Sequence, residues 1–138
     1  MKPSPRRKAR ELAVQAVYSQ QMSDNLASDV ELHFLTENAK RRFETEYFQK
    51  VFRGVIEQLS SIDSAITPHL DRPLADVDPI EKAVLRVAVF ELSGCPDVPY
   101  RVVINEAIEL AKVFAADDSH KFVNGVLDKA VKLIRPNE

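Results

Sequence analysis

The sequence is poor in the residues that tight turns and covalent cross-links require. Its 138 residues include three glycines, one cysteine and no tryptophan. Hairpin turns and phosphate-binding loops depend on glycine, so this scarcity disfavours a β-rich fold and a nucleotide-binding loop. Because Cys95 is the single cysteine, the chain cannot form an internal disulfide, which suits a reducing compartment.

Long hydrophobic runs are also missing. A membrane-spanning helix needs about 20 consecutive apolar residues, and no stretch approaches that length. Residues 11–21, which follow the basic N-terminus, are amphipathic and too polar for the core of a signal peptide. We therefore expect one domain over residues 1–138, cytoplasmic and without membrane attachment.

Apolar residues recur at three- and four-residue spacing along most of the chain, which is the period of amphipathic helices. Proline and capping signals divide this pattern into about seven helices, including one near residues 101–114 and one near 119–134. Ser28 with Glu31, and Asp78 with Glu81, read as capping boxes at the starts of the second and fifth helices. The third helix is predicted to end near the serine pair at 60–61.

The predicted fifth helix is apolar on almost all sides, which is typical of a central helix. Its polar exceptions are Glu81, Lys82, Arg86 and Glu91. We therefore predict an all-α fold in which both halves of the chain pack against this helix. Gly125 interrupts the seventh helix, and a helix-interior glycine suggests close packing against a neighbour.

Catalytic and metal-binding patterns are not visible. His33, His69 and His120 lie on different elements without ligand spacing, and no CxxC or HExxH motif occurs. The acidic pair at 117–118 is better explained by helix capping than by a metal site. We expect no enzymatic activity, no metal or other cofactor, and no small-molecule substrate.

Positive charge is concentrated at the start of the chain. The first ten residues contain no acid, although the whole sequence has a formal net charge of −2; their five basic residues are Lys2, Arg6, Arg7, Lys8 and Arg10. A solvated terminus would explain this charge. However, the arginines run into the first helix, where they oppose its macrodipole. A fixed guanidinium cluster favours a polyanionic ligand.

Single-stranded RNA is favoured over DNA as that ligand. No helix has the composition of a recognition helix for duplex DNA, and the acidic remainder of the chain disfavours wrapping a duplex. Phe114, Ser119 and Lys121, near the junction of the sixth and seventh helices, offer an aromatic ring and polar groups for splayed bases.

Three stretches resemble the NusB family of bacterial transcription antitermination factors, most closely its proteobacterial members. They are RRKARELAVQAVYS at 6–19, PIEKAVLRVAVFEL at 79–92 and VPYRVVINEAIELAKVFAADDSHKFVNGVLDK at 98–129. The last stretch is the most specific, and Ala115 within it departs from the glycine that many relatives carry. The resemblance extends over essentially the whole chain.

The resemblance implies an all-helical fold of two small bundles that share a central helix, and a role that is not enzymatic. NusB proteins pair with NusE, which is also a small-subunit ribosomal protein. The pair binds the boxA element of nascent RNA and helps to assemble an antitermination complex on RNA polymerase, notably on ribosomal RNA operons.

The resemblance also implies two sets of contact residues. In the RNA set, the residues that would hold the RNA backbone are Lys2, Arg6, Arg7 and Arg10. The residues that would meet bases or the sugar edge are Phe114, Asp118, Ser119, Lys121 and Phe122. In the partner set, Val14, Tyr18 and Met22 would form an apolar patch, and Glu81 and Lys82 would form its charged rim. Structural roles compete for several of these: capping for Asp118 and Glu81, core packing for Phe122, and ordinary half-burial for Tyr18.

Three other functions remain open at the level of the sequence. The chain could be an RNA-binding module related to the N-terminal domain of some ribosomal RNA methyltransferases, although no glycine-rich nucleotide loop is present. It could be a protein adaptor that does not contact nucleic acid. It could also be a DNA-binding regulator, which would prefer duplex to single strand.

Overall fold

The computed structural model describes residues 4–138 and is helical throughout. The seven α-helices in this part of the chain are α1 (Pro5–Gln21), α2 (Ala27–Glu37), α3 (Thr45–Glu57), α4 (Leu59–Ile66), α5 (Pro79–Gly94), α6 (Tyr100–Phe114) and α7 (Ser119–Ile134). Two short 3-10 turns, Thr67–His69 and Leu74–Asp76, lie between α4 and α5. No strand occurs between residues 4 and 138, and the predicted all-α fold is confirmed.

The fifth helix is the shared centre of two bundles. On one side it packs against α1 and α3, and α2 packs against these two helices. On the other side it packs against α4, α6 and α7. Large side chains from both halves are fully buried, including Phe48 and Phe52 of α3, Leu85 of α5 and Leu127 of α7. These residues belong to one continuous hydrophobic cluster, so α5 joins the two bundles through a common core.

Helix starts follow the sequence signals only in part. The Asp78 carboxylate accepts hydrogen bonds from the backbone N–H groups of Ile80 and Glu81 at 2.9 and 3.3 Å, so the predicted cap of α5 is confirmed. The predicted capping box at Ser28 is wrong: α2 begins at Ala27, and no side chain of residues 4–138 caps its start. The Glu31 carboxylate instead accepts two hydrogen bonds of 2.7 Å from Arg53, which ties α2 to α3.

The close helix packing predicted at Gly125 occurs at another glycine. Gly125 is exposed, and a Cβ there would meet no atom of residues 4–138 within 4 Å. A Cβ on Gly54 of α3 would instead lie 2.1 Å from the ring of Phe90. Gly54 therefore lets α3 approach α5. The third helix also ends earlier than predicted, at Glu57, and α4 begins at Leu59.

No helix within residues 4–138 combines the length and the apolar character that crossing a membrane requires.

Candidate functional site

The start of α1 presents two partly exposed arginines, each held by a carboxylate. Arg6 donates from Nε and Nη2 to the two oxygens of Glu44 at 2.9 and 3.0 Å. Its guanidinium also lies 3.9 Å from the centre of the Tyr47 ring, a cation–π contact. The hydrogen bonds from Arg6 hold the pKa of the Glu44 carboxyl below its usual range. These contacts fix Arg6 against α3 while 38% of its side chain stays exposed.

Arg7 makes the same kind of contact with α6. Its Nε and Nη2 donate to the two oxygens of Glu106 at 3.0 and 2.8 Å, and 46% of its side chain is exposed. The Glu106 hydrogen bonds raise the pKa of Arg7, so the guanidinium stays charged. The pair brings the basic end of α1 alongside α6.

Arg10 does not lie on the surface, where the predicted RNA contact would place it. Its side chain is 3% exposed, and Nε donates to both oxygens of Glu91 on α5 at 2.9 and 3.1 Å. The Tyr47 hydroxyl donates to the same carboxylate at 2.5 Å. Burial raises the pKa of Tyr47, and the charge of Glu91 raises it further, so the phenol stays protonated. Arg10 therefore anchors α1 to the central helix.

This interior network was missed by the sequence reasoning, although a signal was present. Glu91 is a charged residue in a helix that is otherwise apolar on almost all sides, and a buried carboxylate needs a cationic or hydrogen-bonding partner. Arg10 belongs to the same turns as the buried residues Ala9 and Ala13. The pairing joins positions that are 81 residues apart in sequence, which helical periodicity does not connect.

An open apolar groove of about 530 Å³ collects the predicted partner residues. Val14 and Tyr18 of α1 line it together with Met22, which directly follows the helix, and other elements complete it with Phe34, Ile80 and Phe114. Phe114, predicted to contact RNA, therefore lies beside the predicted partner patch. Val14 forms the buried floor, whereas Met22 is 59% exposed at the rim.

The charged pair predicted for the rim follows Ile80 directly on α5. Glu81 is buried and Lys82 is half-buried. The Glu81 backbone N–H binds the Asp78 cap, so the first turn of α5 is fixed beside the groove. Both side chains therefore belong to a rigid helix start rather than to a loop.

The start of α7 carries the remaining predicted RNA residues in different environments. Asp118 and Lys121 are exposed and form an ion pair of 3.5 Å. Asp118 occupies the N-cap position, but within the described residues its side chain makes no cap bond to α7, so the competing capping role is wrong. Ser119 is 6% exposed. Phe122 is half-buried, and the Arg72 guanidinium lies 4.8 Å from its ring centre.

Helix α6 connects these two regions. Glu106 contacts Arg7 near the start of α1, and Phe114, at the end of α6, contacts the groove formed by later residues of α1. Eight residues of α-helix span about 12 Å. Arg7 and the groove therefore both lie where α1 packs beside α6, and the start of α7 follows Phe114 after a few residues. Lys2, the remaining predicted RNA residue, lies outside the described residues.

Residues 4–138 contain no group of three or more histidine, cysteine or acidic side chains placed to hold a metal ion. Cys95 is fully buried, and burial raises the pKa of its thiol. A buried, protonated thiol is a weak nucleophile.

Comparison with known proteins gives one consistent assignment. The family model described as the NusB family matches residues 7–132. The chain is 72% identical to the transcription antitermination protein NusB of Colwellia psychrerythraea over all 138 residues, which is 100% of both chains. It is 59% identical to the protein of the same name from Idiomarina loihiensis, over 99% of this chain and 98% of that one.

Solved structures share the fold. T. maritima NusB superposes with a TM-score of 0.84 at 32% identity, covering 95% of this chain and 93% of that one. A crystal structure of the antitermination factors NusB and NusE in complex with dsRNA also gives a TM-score of 0.84, at 25% identity, over 92% of this chain and 96% of that one. The relatives are named as transcription antitermination proteins rather than enzymes, and the predicted non-enzymatic role is confirmed. The chain therefore belongs to the NusB family.

Proposed function

We propose that the protein is a cytoplasmic transcription antitermination factor that binds single-stranded boxA RNA together with NusE. Residues 1–138 act as one binding domain. The complex with NusE and RNA joins an antitermination assembly on RNA polymerase, notably on ribosomal RNA operons. The observation that carries this proposal is the apolar groove on α1, whose Val14 and Tyr18 share a stripe of the helix with the exposed, paired Arg7 in a NusB-family fold.

The groove has the composition of a protein-binding site. Aromatic residues and methionine are enriched at interface centres, where a desolvated pocket receives an anchor from the partner. Tyr18 and Phe114 give this groove rigid walls, and Met22 gives it an adaptable rim. A related NusB has been crystallised with NusE and RNA, so a NusE-type protein is the proposed occupant.

The proposed RNA surface has two parts, one at the start of α1 and one at the start of α7. Arg6 and Arg7 offer guanidinium groups to the RNA backbone in the first part, which attracts the strand without reading its sequence. Lys121, Asp118 and the edge of Phe122 offer one cation, one acceptor and one aromatic ring in the second. Arg10 takes a positioning role in this proposal because Glu91 holds it in the interior. Ser119 is buried, so its proposed role is to position the first turn of α7 for RNA binding. Lys2 adds a further positive charge to the proposed backbone contacts.

Single-stranded RNA is proposed because the exposed groups suit splayed bases better than a duplex. A narrow A-form major groove excludes side chains, whereas unpaired bases stack on aromatic rings and bind polar groups. The relative in complex with dsRNA makes the duplex the necessary comparison.

Fluorescence anisotropy would test the proposal with three labelled RNAs: a boxA-like single strand, a scrambled strand and a duplex of the same sequence. Each is titrated with the protein alone and with purified NusE. We expect the boxA-like strand to bind most tightly, and NusE to increase both affinity and selectivity. Affinity should fall with salt, with a log–log slope of about −0.7 for each phosphate contacted.

Matched charge reversals would locate the RNA surface. Arg6→Glu with Arg7→Glu should weaken binding and make the salt slope shallower by about 1.4, since two phosphate contacts are lost. Arg53→Glu, at an exposed arginine on α3 that is also paired with a carboxylate, should leave the slope unchanged. Equal binding of all three RNAs would refute sequence-selective recognition. Binding of NusE with no binding of any of the three RNAs, even when NusE is present, would favour the protein adaptor.

A further inference from the structure

We propose that Glu44 and Glu106 determine RNA specificity by occupying the phosphate-binding edges of Arg6 and Arg7, an inference that rests on the proposed RNA-binding function. The two carboxylates act as built-in anions. They weaken contacts that depend on backbone charge alone, so that an RNA must also make base or partner-dependent contacts to bind well.

The geometry of the two pairs is the same although Glu44 directly precedes α3 and Glu106 lies within α6. In each arginine, Nε and Nη2 donate to both oxygens of one carboxylate over distances between 2.8 and 3.0 Å. This fork-to-fork arrangement is also the one by which arginine binds phosphate. The lateral edge of both guanidinium groups is therefore filled before RNA arrives.

A phosphate has two routes to such an arginine, and both cost binding free energy. It can displace the carboxylate and take the lateral edge, in which case the carboxylate loses its partner. It can instead bind the remaining end of the guanidinium, where a carboxylate charge lies close by and repels it. Glu109 and Glu11 add to the negative field at Arg7.

Because each arginine is fixed in place, a phosphate can reach only the free end of its guanidinium, and only from one direction. Arg6 is held on one face by the Tyr47 ring, 3.9 Å away, so it cannot swing to meet an arriving phosphate. Arg7 is fixed against α6 by Glu106, which also contacts the buried Arg10 at 3.4 Å. Base contacts at the start of α7 would fix the register of an RNA strand and so present its phosphates to the free end of each guanidinium. A strand that binds in many orientations would present its phosphates there less often.

Neutral isosteres of the two carboxylates test this idea. Glu44→Gln and Glu106→Gln keep the side-chain shape but provide only one acceptor oxygen, so the bidentate hold is lost. Glu37→Gln is the matched control, because it changes the net charge equally at an exposed position of α2. Anisotropy with boxA-like and scrambled strands, over a range of salt concentrations, gives affinity, selectivity and slope for each variant.

Each isostere should tighten binding of the scrambled strand about two- to fivefold, the range expected for freeing one partly exposed ion pair. Binding of the boxA-like strand should change less, so selectivity falls, and the salt slope should steepen by up to about 0.7 per arginine released. In the Arg6→Ala background, Glu44→Gln should have no effect, since its target is absent.

Three other results would overturn the inference. If the variants match Glu37→Gln while the wild type still selects boxA-like RNA, the carboxylates do not set specificity and the proposed function stands. If both strands tighten equally, the carboxylates lower affinity without affecting selectivity. If no protein binds RNA even with NusE, the proposed function fails and this inference fails with it. Should Glu106→Gln fold poorly because Arg10 is nearby, Glu44→Gln alone decides the question.

Discussion

The guanidinium of Arg10 and the carboxylate of Glu91 meet in the interior between α1 and α5, with Nε 2.9 Å from Oε2. Both side chains are almost fully buried, and the Tyr47 hydroxyl binds the same carboxylate. A buried pair repays its desolvation only when its hydrogen bonds are made with good geometry. The contact ties the basic end of α1 to the central helix, so the positions of Arg6 and Arg7 depend on a charge in the core.

Breaking this pair from one side should destabilise the protein strongly. Glu91→Ala leaves the Arg10 guanidinium buried without its partner, and we expect a loss of about 3–5 kcal/mol in the free energy of unfolding, measured by urea denaturation. Replacing both partners, as Arg10→Met with Glu91→Leu, should cost much less, because no uncompensated charge remains. A double variant as unstable as the single one would show that the pair matters through packing alone.

The same network predicts a loss of stability in alkali. The pKa of Tyr47 is raised in the folded protein, while an unfolded tyrosine ionises near pH 10. Above that pH the unfolded chain releases a proton that the folded chain retains, so the free energy of unfolding falls as pH rises. The limiting slope for this one group is about 1.4 kcal/mol per pH unit. Denaturation curves between pH 9 and 11.5 should show a shallower decline for Tyr47→Phe than for the wild type.

Two glycines in helix interiors should respond to alanine with opposite signs. Gly54→Ala forces a methyl group into the Phe90 ring and should destabilise by about 1–3 kcal/mol. Gly125→Ala meets open space on an exposed face and should stabilise by about 0.5–1 kcal/mol through helix propensity. Urea denaturation of the two variants gives the comparison. Adding Phe90→Leu to Gly54→Ala should recover part of the loss; if it does not, the ring is not the obstacle.

These glycines show where sequence reasoning succeeds and where it ends. Helical periodicity is a local signal, and it placed the seventh helix at the same residues as α7, Ser119–Ile134. Which glycine faces a neighbour depends on how helices dock, and no local signal reports that. Gly125 was therefore chosen because it interrupts a helix, although the close approach occurs at Gly54.

In the candidate site, too, some residues were predicted from the sequence and others are brought together only by the packing of the helices. Val14 and Tyr18 share one stripe of α1 and Met22 follows the helix directly, and the family resemblance predicted these three residues as a common patch. Phe34 and Ile80 complete the groove from other helices, and tertiary packing alone brings them there. For Arg10, composition predicted an exposed cation, and the buried partner that overrides this expectation is a carboxylate distant in sequence.

Arg135 should prove essential for the end of the central helix. Its guanidinium donates to the backbone carbonyls of Leu92, Cys95 and Glu91 at 2.9, 2.9 and 3.2 Å, near the C-terminus of α5. A cation there also favours the helix dipole. Arg135→Ala should lower the free energy of unfolding by about 2–4 kcal/mol, because several acceptors lose a charged donor.

Two comparisons would isolate this role of Arg135. Arg135→Lys should recover only part of the stability, since an ammonium group cannot span the same set of carbonyls. Lys132→Ala removes an exposed cation from the last turn of α7, just before Arg135, and should change little. If Arg135→Ala behaved like Lys132→Ala in urea denaturation, the carbonyl contacts would not stabilise the fold.

Substitutions in the groove should separate partner binding from RNA binding. Tyr18→Ala removes an aromatic wall, and Met22→Asp places a charge on the apolar rim, so each should weaken NusE binding about tenfold or more in calorimetric titration. Leu133→Asp introduces the same charge at an exposed leucine of α7 and should leave NusE affinity unchanged. RNA binding by the protein alone should survive all three substitutions, because Arg6 and Arg7 are retained. If Tyr18→Ala instead weakened RNA binding and left NusE binding intact, the groove would belong to the RNA surface, and Phe114 would be its link to the bases.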